Sequence, residues 1–306
     1  MANSNEIKGR IDSVKETQKI TNAMYLIAST KLTKAKAELE KTRPFFEALS
    51  TEIKRVFRTV DDVESPYFYP PSGEEPLNGT YACLVVTADK GLAGAYNMNV
   101  IREAEKMLEE HPDTKLFVVG EYGRHYFSSH HIPIEQSFLY TAQNPTMRRA
   151  REIANELLEN YGKGGIEKIY VIFTNMKNSV ETETIRTRIL PFHRSDFHSP
   201  AVEKEISNPF EFMPNPETIL NRVMPSYISG YIYATLVYSF CAEQNSRMTA
   251  MDSANRNAEE LLADLKIQYN RVRQAAITQE ITEVSAGAKA QKNSHKQESK
   301  TGGGLW

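Results

Sequence analysis

Cysteine is scarce in this sequence, with only Cys83 and Cys241 among 306 residues. Both lie in apolar surroundings, and neither the Cys-x-x-Cys spacing nor the histidine-rich clustering of a zinc site occurs. The sequence therefore predicts two buried free thiols, with a single disulfide as the open alternative.

Excess charge of either sign is also lacking. The formal net charge is −2 and the pI is about 6.4, so no bulk electrostatic attraction to nucleic acid is expected. The opening residues, MANSNEIKGRIDS, are polar and contain no apolar stretch of the kind found in secretory signals. We therefore expect neither a nucleic-acid partner nor a secretory signal.

One segment without charge, between Arg222 and Glu243, is long enough to cross a membrane at about 20 residues. It contains Pro225, Gly230 and several tyrosines. The tyrosines are Tyr227, Tyr231, Tyr233 and Tyr238. Tyrosines in the middle of a segment are unlike the aromatic belts at the ends of membrane helices. The pattern favours a helix that is buried by its own protein.

Sequence signatures of catalysis and nucleotide binding are weak. The loop GLAG at 91–94 follows a predicted strand and precedes a helix, but it lacks the third glycine and the acidic partner of a dinucleotide site. It therefore predicts a tight turn. The loop histidines have no nucleophile or metal-ligand spacing; they are His130, His131, His193 and His198. No catalytic residue, cofactor or metal site is expected.

A long helical repeat dominates the first sixty residues. Mostly apolar side chains recur at alternating steps of four and three, which average 3.5 residues per turn and specify a left-handed coiled-coil seam. The seam reads Ile7, Ile11, Val14, Gln18, Thr21, Tyr25, Ala28, Leu32, Ala35, Leu39, Thr42, Phe46, Leu49, Ile53, Val56 and Val60. Asn3 and Glu6 can cap its start. Pro44 is expected to bend the helix, about 85 Å long, without ending it.

A second long helix is predicted after Asn215, a helix cap followed by proline at the first helical position. Its seam runs Tyr227, Gly230, Ala234, Val237, Cys241, Gln244, Met248, Met251, Asn255, Ala258, Leu262, Leu265, Tyr269, Val272 and Ala276, then slips to Ile277, Ile281, Val284 and Ala288. We expect the two helices to pair in antiparallel orientation. If Met24 lies level with Arg247, the start of the first helix lies level with about Arg271 of the second. The helical residues of the second helix beyond Arg271 then stand unpaired.

Between the two helices, short β-branched runs alternate with helical stretches, which is typical of a small, largely parallel α/β domain. Strands are predicted at 80–87, 115–120 and 166–174, with an antiparallel edge strand at 181–192; helices are predicted at about 97–110 and 146–161, and a loop at 130–145. The predicted fold class is α/β: a long antiparallel coiled coil of N- and C-terminal helices with an inserted Rossmann-like α/β domain. The predicted divisions are 1–60 first helix, 61–79 linker, 80–214 central domain, 215–290 second helix and 291–306 disordered tail.

One stretch of the first helix carries charge of one sign. From Thr17 to Ala37 there are four lysines and no acidic residue. These lysines are Lys19, Lys31, Lys34 and Lys36. A solvated helix face usually mixes signs in i,i+4 pairs, so this lysine collar indicates an acidic partner surface, with a merely solvated face as the alternative.

Three segments resemble one known family. IDSVKETQKITNAMYLIASTKLTKAK at 11–36 is similar to the N-terminal signature of F-type ATP synthase γ subunits. SRMTAMDSANRNAEELL and YNRVRQAAITQEITEVSAGA, within 246–288, are similar to the C-terminal signature, and TADKGLAGAYN at 87–97 to the loop after the first strand. In that loop Ala88 and Ala93 stand where the family usually has serine and cysteine. The resemblance covers nearly the whole chain.

The resemblance implies a non-catalytic central-stalk rotor that couples ion translocation through the membrane sector to ATP synthesis and hydrolysis in the catalytic head. The implied partners are the catalytic beta and non-catalytic alpha subunits, the epsilon subunit and the membrane c-ring. The implied location is the cell membrane, peripheral, on the cytoplasmic side. Two alternatives from the residues alone are a static coiled-coil scaffold and a nucleotide-binding α/β enzyme.

Carried over position by position, the resemblance also implies contact residues. Those facing the catalytic head are Met24, Lys31, Lys34, Arg247, Arg273, Gln274, Thr278 and Glu280. Arg273 and Gln274 would meet a loop of a catalytic subunit, where an arginine can fork to a carboxylate. Phe210 and Phe212 match the foot region and are expected to touch the membrane ring.

Overall fold

The computed structural model describes residues 4–60, 63–70, 79–138, 142–176, 181–197 and 212–301. Its contacts divide the chain into two compact units, one of Met1–Met24 with Met251–Trp306 and one of Tyr25–Ala250. Each unit contains parts of two long helices, α1 (Ser4–Thr59) and α5 (Pro216–Thr301).

The start of α5 and the continuation of α1 past its proline agree with the sequence prediction. Asn215 caps α5, since its side-chain oxygen accepts the Thr218 amide at 2.7 Å. Pro44 lies inside α1, which continues to Thr59. The predicted cap residue Asn3 lies outside the described residues.

In the first unit, the start of α1 packs against α5 in antiparallel orientation. Ile7, Ile11, Leu262 and Leu265 are buried together, and the Thr21 hydroxyl donates to the side-chain oxygen of Asn255. Because the helices are antiparallel, three residues forward from Thr21 correspond to three residues back from Asn255, which places Met24 level with Asp252. The expected alignment of Met24 with Arg247 is therefore wrong by about five residues, a little over one helical turn.

The predicted seams are confirmed as far as Val272, whereas the last predicted positions of α5 are exposed: Ala276, Ile277, Ile281, Val284 and Ala288. Every predicted seam position of α1 from Ile7 to Val60 is buried or half-buried, and so is every predicted position of α5 from Tyr227 to Val272. From Arg273 to Gln291 all described side chains are exposed. The tail differs from the expectation of disorder, since α5 continues to Thr301. Residues 291–301 contain the good helix formers Lys, Gln and Glu, and neither glycine nor proline.

The Tyr25–Ala250 unit contains a five-stranded sheet. Its strands are β1 (Tyr81–Val86), β2 (Lys115–Val119), β3 (Gln136–Phe138), β4 (Lys168–Met176) and β5 (Thr182–Leu190). Their order is β3-β2-β1-β4-β5, and only β5, the predicted edge strand, is antiparallel to its neighbour. β3 lies in the predicted loop at 130–145; it has three residues, too few for strand periodicity to show.

Helices cover both faces of the sheet. They are α2 (Tyr96–Glu110), α3 (Glu121–Ser129) and α4 (Met147–Gly162). Alternate residues of β1 face opposite cores: Cys83 and Val85 pack with α2 and α3, whereas Ala82 and Leu84 pack with α4, α5 and α1. The inserted α/β domain is thereby confirmed.

The uncharged stretch of α5 is buried against the unit's own core. Ser229, Thr235 and Ser239 are each at most 2% exposed, and the Ser229 hydroxyl donates to the Pro225 carbonyl at 2.7 Å. Among the described residues, no helix is long and apolar enough to span a bilayer. Cys83 and Cys241 are free and buried, as predicted.

Gly230 permits close approach of α1 and α5 within the Tyr25–Ala250 unit. A Cβ atom at this position would overlap the Phe46 ring. We therefore expect Gly230→Ala to lower the free energy of unfolding by about 1–3 kcal/mol. Gly287→Ala is the matched control, since Gly287 is also helical and nothing lies within 4 Å of the place that an added methyl group would take; it should be neutral or stabilising. Urea denaturation of both variants measures the difference, and equal midpoints would contradict the account.

Candidate partner-binding surfaces

The lysine collar of α1 is accessible. Lys19, Lys31, Lys34 and Lys36 are all exposed, while Ala28 and Ala35 on the same helix are buried. Within the described ranges none of the four lysines forms an ion pair, although paired lysines such as Lys41 with Glu38 occur further along α1. The collar is thus a basic surface without close ion pairs, with Glu38 as an acidic neighbour of Lys31 and Lys34.

A groove of about 200 Å³ lies beside part of the collar, within the Tyr25–Ala250 unit. Lys31, Lys34 and Glu38 line it, and Val237 and Phe240 of α5 contribute apolar lining. A surface that combines ammonium groups with apolar side chains suits an acidic segment that also carries apolar residues.

The residues predicted to meet the catalytic head near the end of α5 are also accessible. Arg273, Gln274, Thr278 and Glu280 are all exposed. Their accessibility follows from their position beyond Val272, the last half-buried residue of the paired stretch.

Exposed apolar side chains share this part of α5. They are Ile277, Ile281 and Val284, which are 43%, 61% and 73% exposed. Steps of four and three residues place all three on the same helix face as Arg273. This face is an apolar stripe with a cation at its start, and no described part of the chain covers it.

Arg247, which the sequence predicts to meet the catalytic head, is largely buried within its own chain. The residue is 9% exposed. Its guanidinium lies 2.6 Å from a carboxylate oxygen of Glu243 and donates to the carbonyls of Gly91 at 3.2 Å and Lys90 at 3.5 Å. The residue therefore binds the glycine loop of its own chain. Glu243, four residues earlier, is the signal that could have indicated an internal pair.

The glycine loop is the tight turn that the sequence predicts. Leu92 and Gly94 have φ values of +61° and +55°. Ala88 and Ala93 are buried with Ala242 of α5. Alanine at 88 and 93 therefore matches the space that this packing leaves.

The loop lies at the carboxyl end of β1, where the chain order of the sheet reverses between β1 and β4. Open α/β sheets bind ligands in the crevice at such a point. Here α5 packs against that end, and the hydroxyls of Tyr96 and Ser239 are hydrogen-bonded at 2.7 Å. The geometry favours a packed junction over a nucleotide site.

The remaining predicted contact residues differ in accessibility. Met24 is half-buried in its unit. Phe212 is half-buried and packs against the core that α4 and α5 share with the sheet. Phe210 lies outside the described residues.

The comparisons with known proteins agree over almost the whole chain. The family described as ATP synthase matches residues 3–291. The ATP synthase gamma chain of Acetivibrio thermocellus is 39% identical over 297 residues, covering 95% of this chain and 100% of the relative. That of Caldanaerobacter subterraneus is 40% identical over 292 residues, covering 92% and 98%.

Solved structures show the same fold at low sequence identity. A chain of the Euglena gracilis mitochondrial ATP synthase OSCP/F1/c-ring structure matches with a TM-score of 0.58 at 14% identity, covering 94% of this chain and 97% of that one. A chain of the Tetrahymena thermophila mitochondrial ATP synthase central stalk/c-ring structure matches with a TM-score of 0.55 at 24% identity, covering 77% and 99%.

Proposed function

The chain belongs to the ATP synthase gamma family, and on that premise we propose that it is the central-stalk rotor coupling ion translocation in the membrane sector to ATP synthesis and hydrolysis in the catalytic head. One observation carries this function: identity of 39–40% to gamma chains along almost their entire length. The paired antiparallel helices and the inserted α/β domain supply the required architecture.

The mechanism rests on differential contact. Each elementary charge that crosses 100 mV yields about 2.3 kcal/mol, so several translocation steps are summed for one ATP. An asymmetric rotor presents a different face to each catalytic subunit in turn. A catalytic site then moves between tight and open states because the rotor contacts those states with unequal free energy. The chain itself supplies no acid, base or metal to the reaction.

We assign each of these surfaces to a partner subunit. The exposed end of α5, with Arg273 and Gln274, faces the catalytic beta and non-catalytic alpha subunits. The lysine collar faces an acidic surface of a catalytic subunit, and Met24 lies in the same contact region. The foot around Phe212 meets the c-ring and the epsilon subunit. The complex holds this chain at the cytoplasmic side of the cell membrane as a peripheral subunit.

Reconstitution tests this function. Alpha and beta subunits are mixed with and without the chain, and ATP hydrolysis is measured; after addition of the membrane sector in vesicles, ATP-driven ion uptake is measured. We expect coupled uptake only when the chain is present. A static scaffold would support assembly without coupling, and a nucleotide-binding enzyme would bind ATP in isolation; either result would replace the rotor assignment.

Neutralising the collar should slow assembly in a salt-dependent manner. We expect Lys31→Gln with Lys34→Gln to reduce the association rate with the head by about threefold to tenfold at low ionic strength, because exposed charges act mainly on encounter. The difference should nearly vanish at high salt. The matched control is Lys106→Gln with Lys163→Gln, which alters lysines already paired with Glu103 and Glu159. Equal salt slopes for both double variants would argue against an acidic partner.

A further inference from the structure

A buried ion pair lies where α5 meets the glycine loop. Glu243 and Arg247 are one helical turn apart, and their side chains are 7% and 11% exposed. Burial raises the pKa of Glu243, and the neighbouring guanidinium of Arg247 acts in the opposite direction. A buried pair is weak evidence for added stability, because desolvation offsets much of the attraction. Its geometry indicates another role.

Arg247 contacts two partners at once. One terminal nitrogen donates to the Glu243 carboxylate at 2.6 Å, and the other donates to the carbonyls of Gly91 at 3.2 Å and Lys90 at 3.5 Å. The planar guanidinium suits such bridging, whereas a lysine ammonium has no fork. Glu243 therefore orients Arg247, and Arg247 holds the loop.

The glycine loop has an unfavourable backbone conformation that requires stabilising contacts. Leu92 is 66% exposed and has a left-handed backbone at φ +61°, which a residue with a branched side chain seldom adopts. A second anchor is Asn97, whose side-chain oxygen accepts the Ala88 amide at 2.9 Å. The Asn97 amide nitrogen also donates to the Lys90 carbonyl at 3.4 Å, so Asn97 fixes the base of the loop and Arg247 holds the Gly91 carbonyl.

We propose that Glu243 and Arg247 are a positioning pair that fixes the glycine loop Asp89–Gly94 to helix α5, so that the loop of the α/β domain and α5 move together when the rotor is loaded. The coupling part of this inference rests on the proposed rotor function. The positioning part concerns this chain alone and can be tested on it.

Hydrogen–deuterium exchange of the full chain tests the positioning part. In Arg247→Met, we expect amides in a peptide spanning 87–97 to exchange at least tenfold faster, with β4 unchanged. The matched control is Arg256→Met, which removes an exposed i,i+4 pair with Asp252 on the same helix and should leave the loop unchanged. Wild-type exchange of the loop in Arg247→Met would overturn the proposal.

A double variant separates positioning from stability. Glu243→Met with Arg247→Met removes both charges and retains volume, so we expect its melting temperature to return toward the wild-type value. The loop should still exchange fast, because the Gly91 carbonyl still lacks the donor that Arg247 supplies. If the double variant also restores slow exchange, the pair serves stability alone and the proposal fails. In Arg247→Lys, the exchange of the loop amides should return only part of the way to the wild-type rate.

Coupling in the assembled complex is the remaining readout. We expect the Met double variant to assemble normally yet pump severalfold fewer ions per ATP hydrolysed than the wild type. Normal pumping by a variant with a loosened loop would overturn the role in coupling. Absence of pumping by the wild-type complex would instead sink the rotor function, so the two failures are distinguishable.

Discussion

Alanine at Gly120 is expected to destabilise the Tyr25–Ala250 unit by about 3 kcal/mol or more. Gly120 precedes α3 and has a φ of +96° and a ψ of 139°, a region that other residues rarely occupy. A Cβ atom there would also lie 2.7 Å from the carbonyl carbon of Thr87. The Thr87 backbone cannot move aside as a flexible side chain can, because the Thr87 amide donates a hydrogen bond to the Val119 carbonyl. Thermal or urea unfolding measures the loss.

Gly164→Ala is the control for backbone conformation alone. Gly164 has a φ of +74°, but no atom lies within 4 Å of an added Cβ. Gly164→Ala should lower the free energy of unfolding by only about 1–2 kcal/mol, which is the cost of placing alanine in a left-handed backbone conformation. If both variants lose the same stability, the close approach of Gly120 to Thr87 has no energetic consequence and the packing account is wrong.

Arg273→Ala should reduce coupled ATP synthesis by about tenfold or more while leaving the chain's stability within about 0.5 kcal/mol of wild type. The side chain is exposed beyond the paired part of α5, so its removal costs the fold little. A charge-assisted bond to a partner carboxylate would be worth about 1.5–3 kcal/mol. Synthesis driven by an imposed ion gradient, alongside thermal unfolding of the isolated chain, measures both effects.

Two variants sharpen this result. Arg273→Lys retains the charge but loses the fork, so it should recover activity only in part. Arg271→Ala removes another exposed arginine two residues away, which points to another side of the helix. Equal losses of melting temperature and synthesis in Arg273→Ala would contradict a partner contact.

The paired helices could be predicted from the sequence because their information is local. Ile7 and Ile11 follow the same four-three stride as Leu262 and Leu265, and the stride alone specifies a buried seam. The exposed stretch after Val272 was also predictable, because the first helix has no residues left to cover it. The alignment of the two helices could not be predicted in the same way. The pattern of apolar residues stays the same when one helix slides along the other by about a turn.

The central domain shows the same division between local and distant information. β1 and β4 are marked by β-branched apolar runs, whereas β3 pairs through the backbone with almost no side-chain pattern. The sequence alone could not show the internal contact of Arg247, because it is made with carbonyls 156 and 157 positions away in the chain. Such a contact exists only after the domain has folded onto α5.

Rotation of a probe on this chain tests the central claim most directly. A cysteine at exposed Glu109 can carry the probe, because burial raises the pKa of Cys83, and that of Cys241 to about 11, leaving both native thiols unreactive. The head is fixed to a surface by its beta subunits and supplied with ATP. We predict sustained rotation of the probe in one direction during hydrolysis. Continued hydrolysis with a stationary probe would contradict the rotor function.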